Sequence, residues 1–195
     1  MIILGVYPGF GITGYGLISA DPEDVRNVNL LEAGVLKSPK NLPFSERLGE
    51  IYSRMIELLE EFRPASMAVE DIYSVQAFPR SSIAIGHVRG VVLLAASQKK
   101  IPVFSYFPRQ VKKALVGSGN ATKSQVQRMV GSTFALDETS RPDDLTDAIA
   151  IALCHASHSR AVDSGWWMVD GGWQSKANAV ACYSPSTIHK QVGLK

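Results

Sequence analysis

The sequence predicts an α/β protein: a mixed five-stranded sheet, three antiparallel strands followed by parallel ones, flanked by helices. Three observations carry this. Short apolar, β-branched runs separated by tight breaks open the chain. A helical period takes over at residue 44, and from there strand-like and helical runs alternate to about residue 159.

Ile2–Val6 and Thr13–Ala20 are apolar or β-branched runs parted by Pro8-Gly9-Phe10-Gly11, and they read as a strand pair. Val25–Lys37 is the third strand, and the short connections make an antiparallel meander. Over 44–62, Phe44, Leu48, Ile51, Tyr52, Met55, Leu58, Leu59 and Phe62 recur at three and four, with Glu46, Glu50, Glu57 and Glu60 opposite. This is an amphipathic helix ended by Pro64. Ser66–Glu70 is a buried strand. Ser81–Ser97 is apolar almost all round, which predicts a helix buried on more than one side. Within it Gly86 and Gly90 stand four apart, a spacing that suits either tight packing on the sheet or a dimer contact.

Pro102–Tyr106 is a further strand, and Arg109–Val116 a short helix stopped by Gly117-Ser118-Gly119. Thr122-Lys123-Ser124-Gln125 has capping-box spacing and starts a helix to about Phe134. Ser140-Arg141-Pro142-Asp143 marks the start of the last helix, which runs to about Ser159. A first domain therefore spans 1–160. The segment 161–195 holds all three tryptophans but shows neither period, and reads as an irregular or partly disordered tail.

With 195 residues, 46% apolar and 19% charged, the chain is an ordinary globular protein. Cys154 and Cys182 have no paired spacing, so neither a disulfide framework nor a zinc knuckle is expected. There is no apolar run of the ~20 residues a membrane span needs. The N-terminus lacks a basic region before its apolar run. A reducing cytoplasm, away from membranes, is the expected location. The net charge of +2 hides an asymmetry: residues 1–71 hold 11 acids against 6 bases, and between Asp71 and Asp137 there is no acid at all. That acid-free stretch carries Arg80, Arg89, Lys99, Lys100, Arg109, Lys112, Lys113, Lys123 and Arg128, either a phosphate-backbone surface or a set of solvated helix faces.

Candidate chemistry gathers at strand ends, where open α/β folds place their sites. Tyr7 and Glu70 each close a short strand. Asp144 and Asp147 lie three apart at a helix start and project from one face. Acids there also serve as partners of the helix dipole, so the pair is either a cap or part of a metal site. A hard cation such as Mg²⁺ takes a few carboxylates with waters and phosphate oxygens, and two such ions can activate water against a phosphodiester. His155 and His158 lie about 16 Å along the helix from Asp147 or less, too far to join the carboxylates, and read as a solvated helix end.

From about residue 2 to 157 the chain resembles RuvC-type Holliday-junction resolvases, members of the RNase H-like superfamily. The residues that carry the resemblance are Ile3-Leu4-Gly5-Val6-x-Pro8-Gly9 with Thr13-Gly14-Tyr15-Gly16, Val69-Glu70, Gly86-x-x-Arg89-Gly90-Val91 and Arg109-Gln110-Val111-Lys112. The series continues in order through Val116-Gly117-x-Gly119, Lys123-Ser124-Gln125-Val126-Gln127 and Asp144-x-x-Asp147-Ala148-x-Ala150. The resemblance implies a homodimer that binds four-way DNA junctions in recombination and repair and nicks two opposing strands. It further implies Mg²⁺, or Mn²⁺ in its place, held by four acidic positions. Three of these are Glu70, Asp144 and Asp147; the fourth falls on Tyr7. Lys112 and Lys123 match basic positions of the cleft, where an ammonium can hold the scissile phosphate. Tyr73 matches an aromatic that stacks on bases near the junction centre, although an aromatic at a strand end also serves as core. Arg80, Arg89, Arg109, Lys113 and Arg128 complete the expected DNA-binding set, and branch-migration motor proteins are a further expected partner.

A neutral phenol is a poor Mg²⁺ ligand and supplies no formal charge. Asp71 and Asp143 adjoin site residues, but strand alternation and a turn of about 100° on the helix aim them elsewhere. Three explanations stand: a natural non-cutting homologue that only binds junctions, an altered sequence, or an active variant with another metal arrangement. The long tail favours a divergent homologue, since the family tail is expected to be short and basic. A nucleotide-binding protein of the actin and sugar-kinase superfamily also opens with a Gly-rich hairpin, but it needs two such lobes, and this chain has room for one.

Overall fold

The structure is a computed structural model that describes residues 1–21, 24, 27–72, 79–136, 142–163, 166–169 and 172–175. The elements follow in the order β1 (Ile2–Tyr7), β2 (Ile12–Ala20), β3 (Val28–Lys37), α1 (Phe44–Phe62), β4 (Ser66–Glu70) and α2 (Pro79–Gln98). After them come β5 (Val103–Tyr106), α3 (Pro108–Val116), α4 (Lys123–Phe134), α5 (Asp143–Asp163), β6 (Trp166–Val169) and β7 (Gly172–Ser175). The main sheet has the order β3-β2-β1-β4-β5, antiparallel across β3, β2 and β1 and parallel across β1, β4 and β5. The mixed sheet expected from the sequence is therefore present, with Tyr7 and Glu70 as the last residues of β1 and β4.

Both faces of the central strands are covered, which is why β1 and β4 read as continuous apolar runs rather than alternating ones. On one face α1 and α2 lie over Leu4, Val6, Leu17, Met67 and Val69. On the other, Val111 of α3, Val126 of α4 and Ile149 to Ile151 of α5 cover Ala68 and Tyr106. Alternation along β1 and β4 thus sends Tyr7 and Glu70 to the α5 face, together with Gly5 and Ala68.

Helix α5 lies directly on the strand backbones because glycines make room for it. A Cβ at Gly5 would stand 2.1 Å from the Ala148 carbonyl oxygen, and one at Gly14 only 1.9 Å from that of Asp144. Only residues without side chains permit such an approach.

Three expectations change. First, α2 is buried on one side: Val88, Val92, Ala95 and Ala96 are buried, while Ile83 and Leu94 are 61% and 52% exposed. One face meets α1 and the sheet, and the described residues leave the other uncovered. Second, Gly86 and Gly90 do not serve close packing on the sheet. A Cβ at Gly90 would meet nothing within 4 Å, and one at Gly86 only Ile72 Cδ1 at 3.7 Å.

Third, His155 is no solvated helix end. It is 3% exposed, lies against the Phe104 ring at 4.4 Å, and bridges Ser66 Oγ (3.0 Å) and the Tyr106 hydroxyl (2.7 Å). The helix continues to Asp163, so His155 sits in its interior, on the face turned to β4 and β5. Burial lowers its pKa from 6.5 to about 4, so the ring is neutral at pH 7.

Within the tail, β6 and β7 pair antiparallel. The rest of 164–195 lies outside the described residues.

Candidate functional site

The parallel pairing of β1 with β4 sets Val6 opposite Val69, so Tyr7 and Glu70 stand next along adjacent strands at the same end of the sheet. Across β1 and β2, Tyr7 pairs with Gly14, and the Asp144 backbone rests on Gly14. The bare glycine thus lowers the first turn of α5 onto the sheet beside Tyr7, bringing Asp144 and Asp147 to the strand ends. Thr122 caps α4: its hydroxyl accepts from the Gln125 amide at 3.3 Å, and the Gln125 side chain accepts from the Thr122 amide at 2.8 Å. That capping box places Lys123 on the first helical turn, with Nζ 2.8 Å from Asp147 Oδ2 and 3.3 Å from Asp143 Oδ2.

The electrostatics follow from burial and crowding of like charge. Tyr7 is pushed up to about 12, by burial first and then by Glu70, Asp147 and Asp144, with Lys123 opposing. Its phenol therefore stays protonated at neutral pH. Glu70 is pushed up to about 7, by burial and then Asp147, while Lys123 and Lys112 hold it down. Asp147 is also raised, mainly by burial, against the Lys123 hydrogen bond. For Lys123 burial works against the charge, yet Asp147 and Asp143 outweigh it and lift the ammonium to about 12.

Six residues expected at the site, Tyr7, Glu70, Asp144, Asp147, Lys112 and Lys123, are thus one electrostatic cluster. Its geometry does not suit a metal ion as it stands. Mg²⁺ requires near-octahedral oxygens at about 2.0–2.1 Å, and among the described residues no group of three or more His, Cys, Asp and Glu is placed to hold an ion. Asp147 is engaged by Lys123, and the Tyr7 ring beside the acids is neutral and supplies no charge.

Asp143 proves to be a member of the cluster. Four residues before Asp147 on the same helix, it shares Lys123 with Asp147 and accepts from Gln127 Nε2 at 2.8 Å. The i, i+4 spacing was the available signal.

The other expected residues divide. Arg109 and Lys113 on α3 and Lys123 and Arg128 on α4 are exposed, on two helices packed beside α5, and of these Lys123 reaches the carboxylates. Arg80 is exposed at the start of α2. Arg89 is turned inward: Nη2 donates to Ser105 Oγ at 2.7 Å and pairs with Asp71 at 3.3 Å, tying α2 to the sheet. Tyr73 lies outside the described residues.

One group went unnoticed in the sequence. Arg47 of α1 is 8% exposed; its Nη2 donates to the Phe10 carbonyl at 2.9 Å and to Ser38 Oγ at 3.0 Å, and its guanidinium stacks on the Phe10 ring at 3.7 Å. It pins the turn that follows Tyr7. An arginine on the rim of an amphipathic stripe gives no cue to such a partner.

The chain is similar to known proteins over most of its length. The family model described as crossover junction endodeoxyribonuclease RuvC matches residues 3–155. A protein of that name from Pelotomaculum thermopropionicum is 42% identical over 158 residues, which is 81% of this chain and 94% of that protein. Another from Thermotoga maritima is 44% identical over 159 residues, 82% of this chain and 92% of that protein. Among solved structures, Thermus thermophilus RuvC in complex with Holliday junction substrate matches with a TM-score of 0.76 and 37% identity, covering 83% of this chain and 96% of that one. The yeast mitochondrial Holliday junction resolvase Ydc2 shares the fold at a TM-score of 0.57 and 14% identity, over 83% of this chain and 84% of its own.

Proposed function

The chain belongs to the RuvC family of crossover junction endodeoxyribonucleases, and on that premise we propose that it binds four-way DNA junctions as a homodimer while Tyr7 withholds the cleavage step. One observation carries the reading: the half-buried Tyr7 phenol lies within the field of Glu70, Asp144 and Asp147, and stays protonated there. The exposed Arg80, Arg109, Lys113 and Arg128 supply the phosphate contacts that set register. Lys112 and Lys123 meet the phosphate nearest the cluster, and Tyr73 stacks on an unpaired base at the junction centre. Arg89 supports α2 rather than DNA. The second copy sits on the uncovered face of α2, where Ile83, Gly86, Gly90 and Leu94 with Leu48 form a shallow apolar groove. The setting is recombination and repair in the cytoplasm, with branch-migration motors as further partners.

A second reading keeps catalysis. Burial raises Glu70 to about 7 and raises Asp147 too, so an added cation would favour the charged form of both. A bound Mg²⁺ or Mn²⁺ would relieve this, provided Asp147 leaves Lys123 and draws together with Glu70 and Asp144 to hold it. Such an ion would supply activation of water and stabilisation of the leaving oxygen.

One experiment separates the two readings. The protein and its Tyr7→Asp variant are incubated with a labelled synthetic four-way junction and Mg²⁺ or Mn²⁺. Junction binding by both with cleavage only by the variant is the expected result. Cleavage by the chain as it stands establishes the second reading. Equal affinity for linear duplex overturns junction recognition itself.

A further inference from the structure

At the end of the sheet away from Tyr7, helices α1 and α2 finish side by side and hand over to the adjacent strands β4 and β5. Both handovers are built alike. After α1 comes Arg63, with its amide donating to the Leu59 carbonyl and φ at 44°, then Pro64. After α2 come Lys99 and Lys100, the latter with φ at 56°, then Ile101 and Pro102; the Ile101 amide returns to the Ala96 carbonyl at 3.0 Å. These are helix ends of the kind where glycine ordinarily occupies the left-handed position, because a Cβ there crowds the carbonyl. Of the three described non-glycine residues with positive φ, two are therefore cations at this one corner.

Between the two caps lies a cleft of about 690 Å³. Its walls are Leu59, Pro64, Ala65, Ile101 and Pro102, and its rim carries Arg63, Lys99, Lys100 and Glu60. Lys99 Nζ pairs with Glu60 at 2.5 Å, which neutralises the rim's acid. Among the described residues Arg63 and Lys100 make no ion pair, so the rim keeps two free cations. Favourable interaction with the helix C-termini explains basic residues at this place. The left-handed position alone assigns no use, since Ala135 takes it at the end of α4; what singles out this corner is that its two unpaired cations stand together over an apolar wall.

The geometry points to a docking site for an acidic peptide: one or two carboxylates bound by Arg63 and Lys100, and an adjacent apolar side chain laid against Ile101, Ala65 and Pro102. A duplex is the poorer occupant, because its backbone needs a long run of cations on an accessible surface, whereas two cations over a concave apolar wall match a short segment. The site lies at the start of β4, and Glu70 at its end, about 13 Å apart at the rise of a strand. Occupancy therefore leaves the carboxylate cluster open, and a partner protein can be held while that end of the sheet engages DNA. The inference does not depend on junction binding.

The test uses the full chain with a fluorescein-labelled Glu-Glu-Leu-Phe peptide, its Lys-Lys-Leu-Phe counterpart, and the variants Arg63→Gly and Lys100→Gly, followed by anisotropy and thermal melting. Saturable binding of the acidic peptide alone is expected, weakened about fivefold by each glycine. Melting temperatures should be unchanged or higher, since glycine relieves the left-handed strain. Binding then falls without any loss of stability, which a purely capping role does not produce. No saturation by about 1 mM peptide, equal binding of the lysine peptide, or undiminished affinity in both variants overturns the assignment. So does displacement of the peptide by linear duplex, together with lost duplex affinity in the variants, which would make the corner a DNA contact.

Discussion

Replacing Gly14 by alanine tests the contact on which the placement of Asp144 depends. The added Cβ would stand 1.9 Å from the Asp144 carbonyl oxygen, 2.5 Å from its carbon and 3.2 Å from the Leu145 nitrogen. All three are backbone atoms, so no side-chain rotation relieves the clash. Ordinary contact begins near 3.4 Å, and the first turn of α5 must therefore retreat from β2 by about 1.5 Å, at an overpacking cost of about 1–3 kcal/mol. For a chain of this size that is a fall in melting temperature of roughly 2–12 °C. Gly11→Ala is the matched control: a Cβ there meets nothing within 4 Å, and its stability should stay within about 0.5 kcal/mol of the parent. The assay is thermal and urea unfolding of the three proteins, with the parent and control differing little. If Gly14→Ala unfolds together with Gly11→Ala, α5 does not rest on β2 at this point, and the account of how Asp144 reaches the site fails.

Three further outcomes are expected. The His155 ring is neutral when folded and has a pKa near 4 against 6.5 in the unfolded chain, so the unfolded chain binds its proton first as pH falls. Its stabilising contribution is complete above about pH 6.5 and declines as pH drops towards 4, by about 3 kcal/mol in all. Urea unfolding at pH 7 and 4.5 should show a steeper loss in the parent than in His155→Gln, and parallel losses would refute the burial argument. Thr122→Ala removes the α4 cap and should cost about 1 kcal/mol, with Thr122→Ser close to the parent. An undiminished stability in the alanine variant would show that the capping box is not needed to hold the Lys123 turn. Arg47→Met leaves Ser38 and Phe10 without their charged donor and should cost about 2–3 kcal/mol in chemical denaturation. A cost below about 0.5 kcal/mol would show that the buried guanidinium contributes nothing net.

Much of the fold was legible in local pattern. The stripe of Ile51, Met55, Leu58 and Leu59 and the spacing from Thr122 to Gln125 express constraints that act within one or two helical turns, so a linear reading finds them. The reading of α2 went astray for the complementary reason. Composition reports that a surface is apolar, not whether neighbouring elements cover it, and the described residues leave the Ile83–Leu94 face uncovered. His155 was misplaced because helix length was judged too short by four residues, and because a histidine whose partners lie 89 and 49 residues away leaves no local trace. Gly5, Gly14 and Gly16 were visible as glycines inside strands, a mark of close backbone approach, but their partner helix could not be read from spacing.

The sequence by itself determined the α/β class, the family, the candidate residues Glu70, Asp144, Asp147, Lys112 and Lys123, and the departure at Tyr7, because each is written in residue type and order. The tertiary structure alone decided how those residues use one another. It gave Lys123 to Asp147 and Asp143, turned Arg89 inward, and set Tyr7 among three carboxylates. Electrostatic partnership depends on distance and burial between residues tens of positions apart, and only the folded chain specifies either.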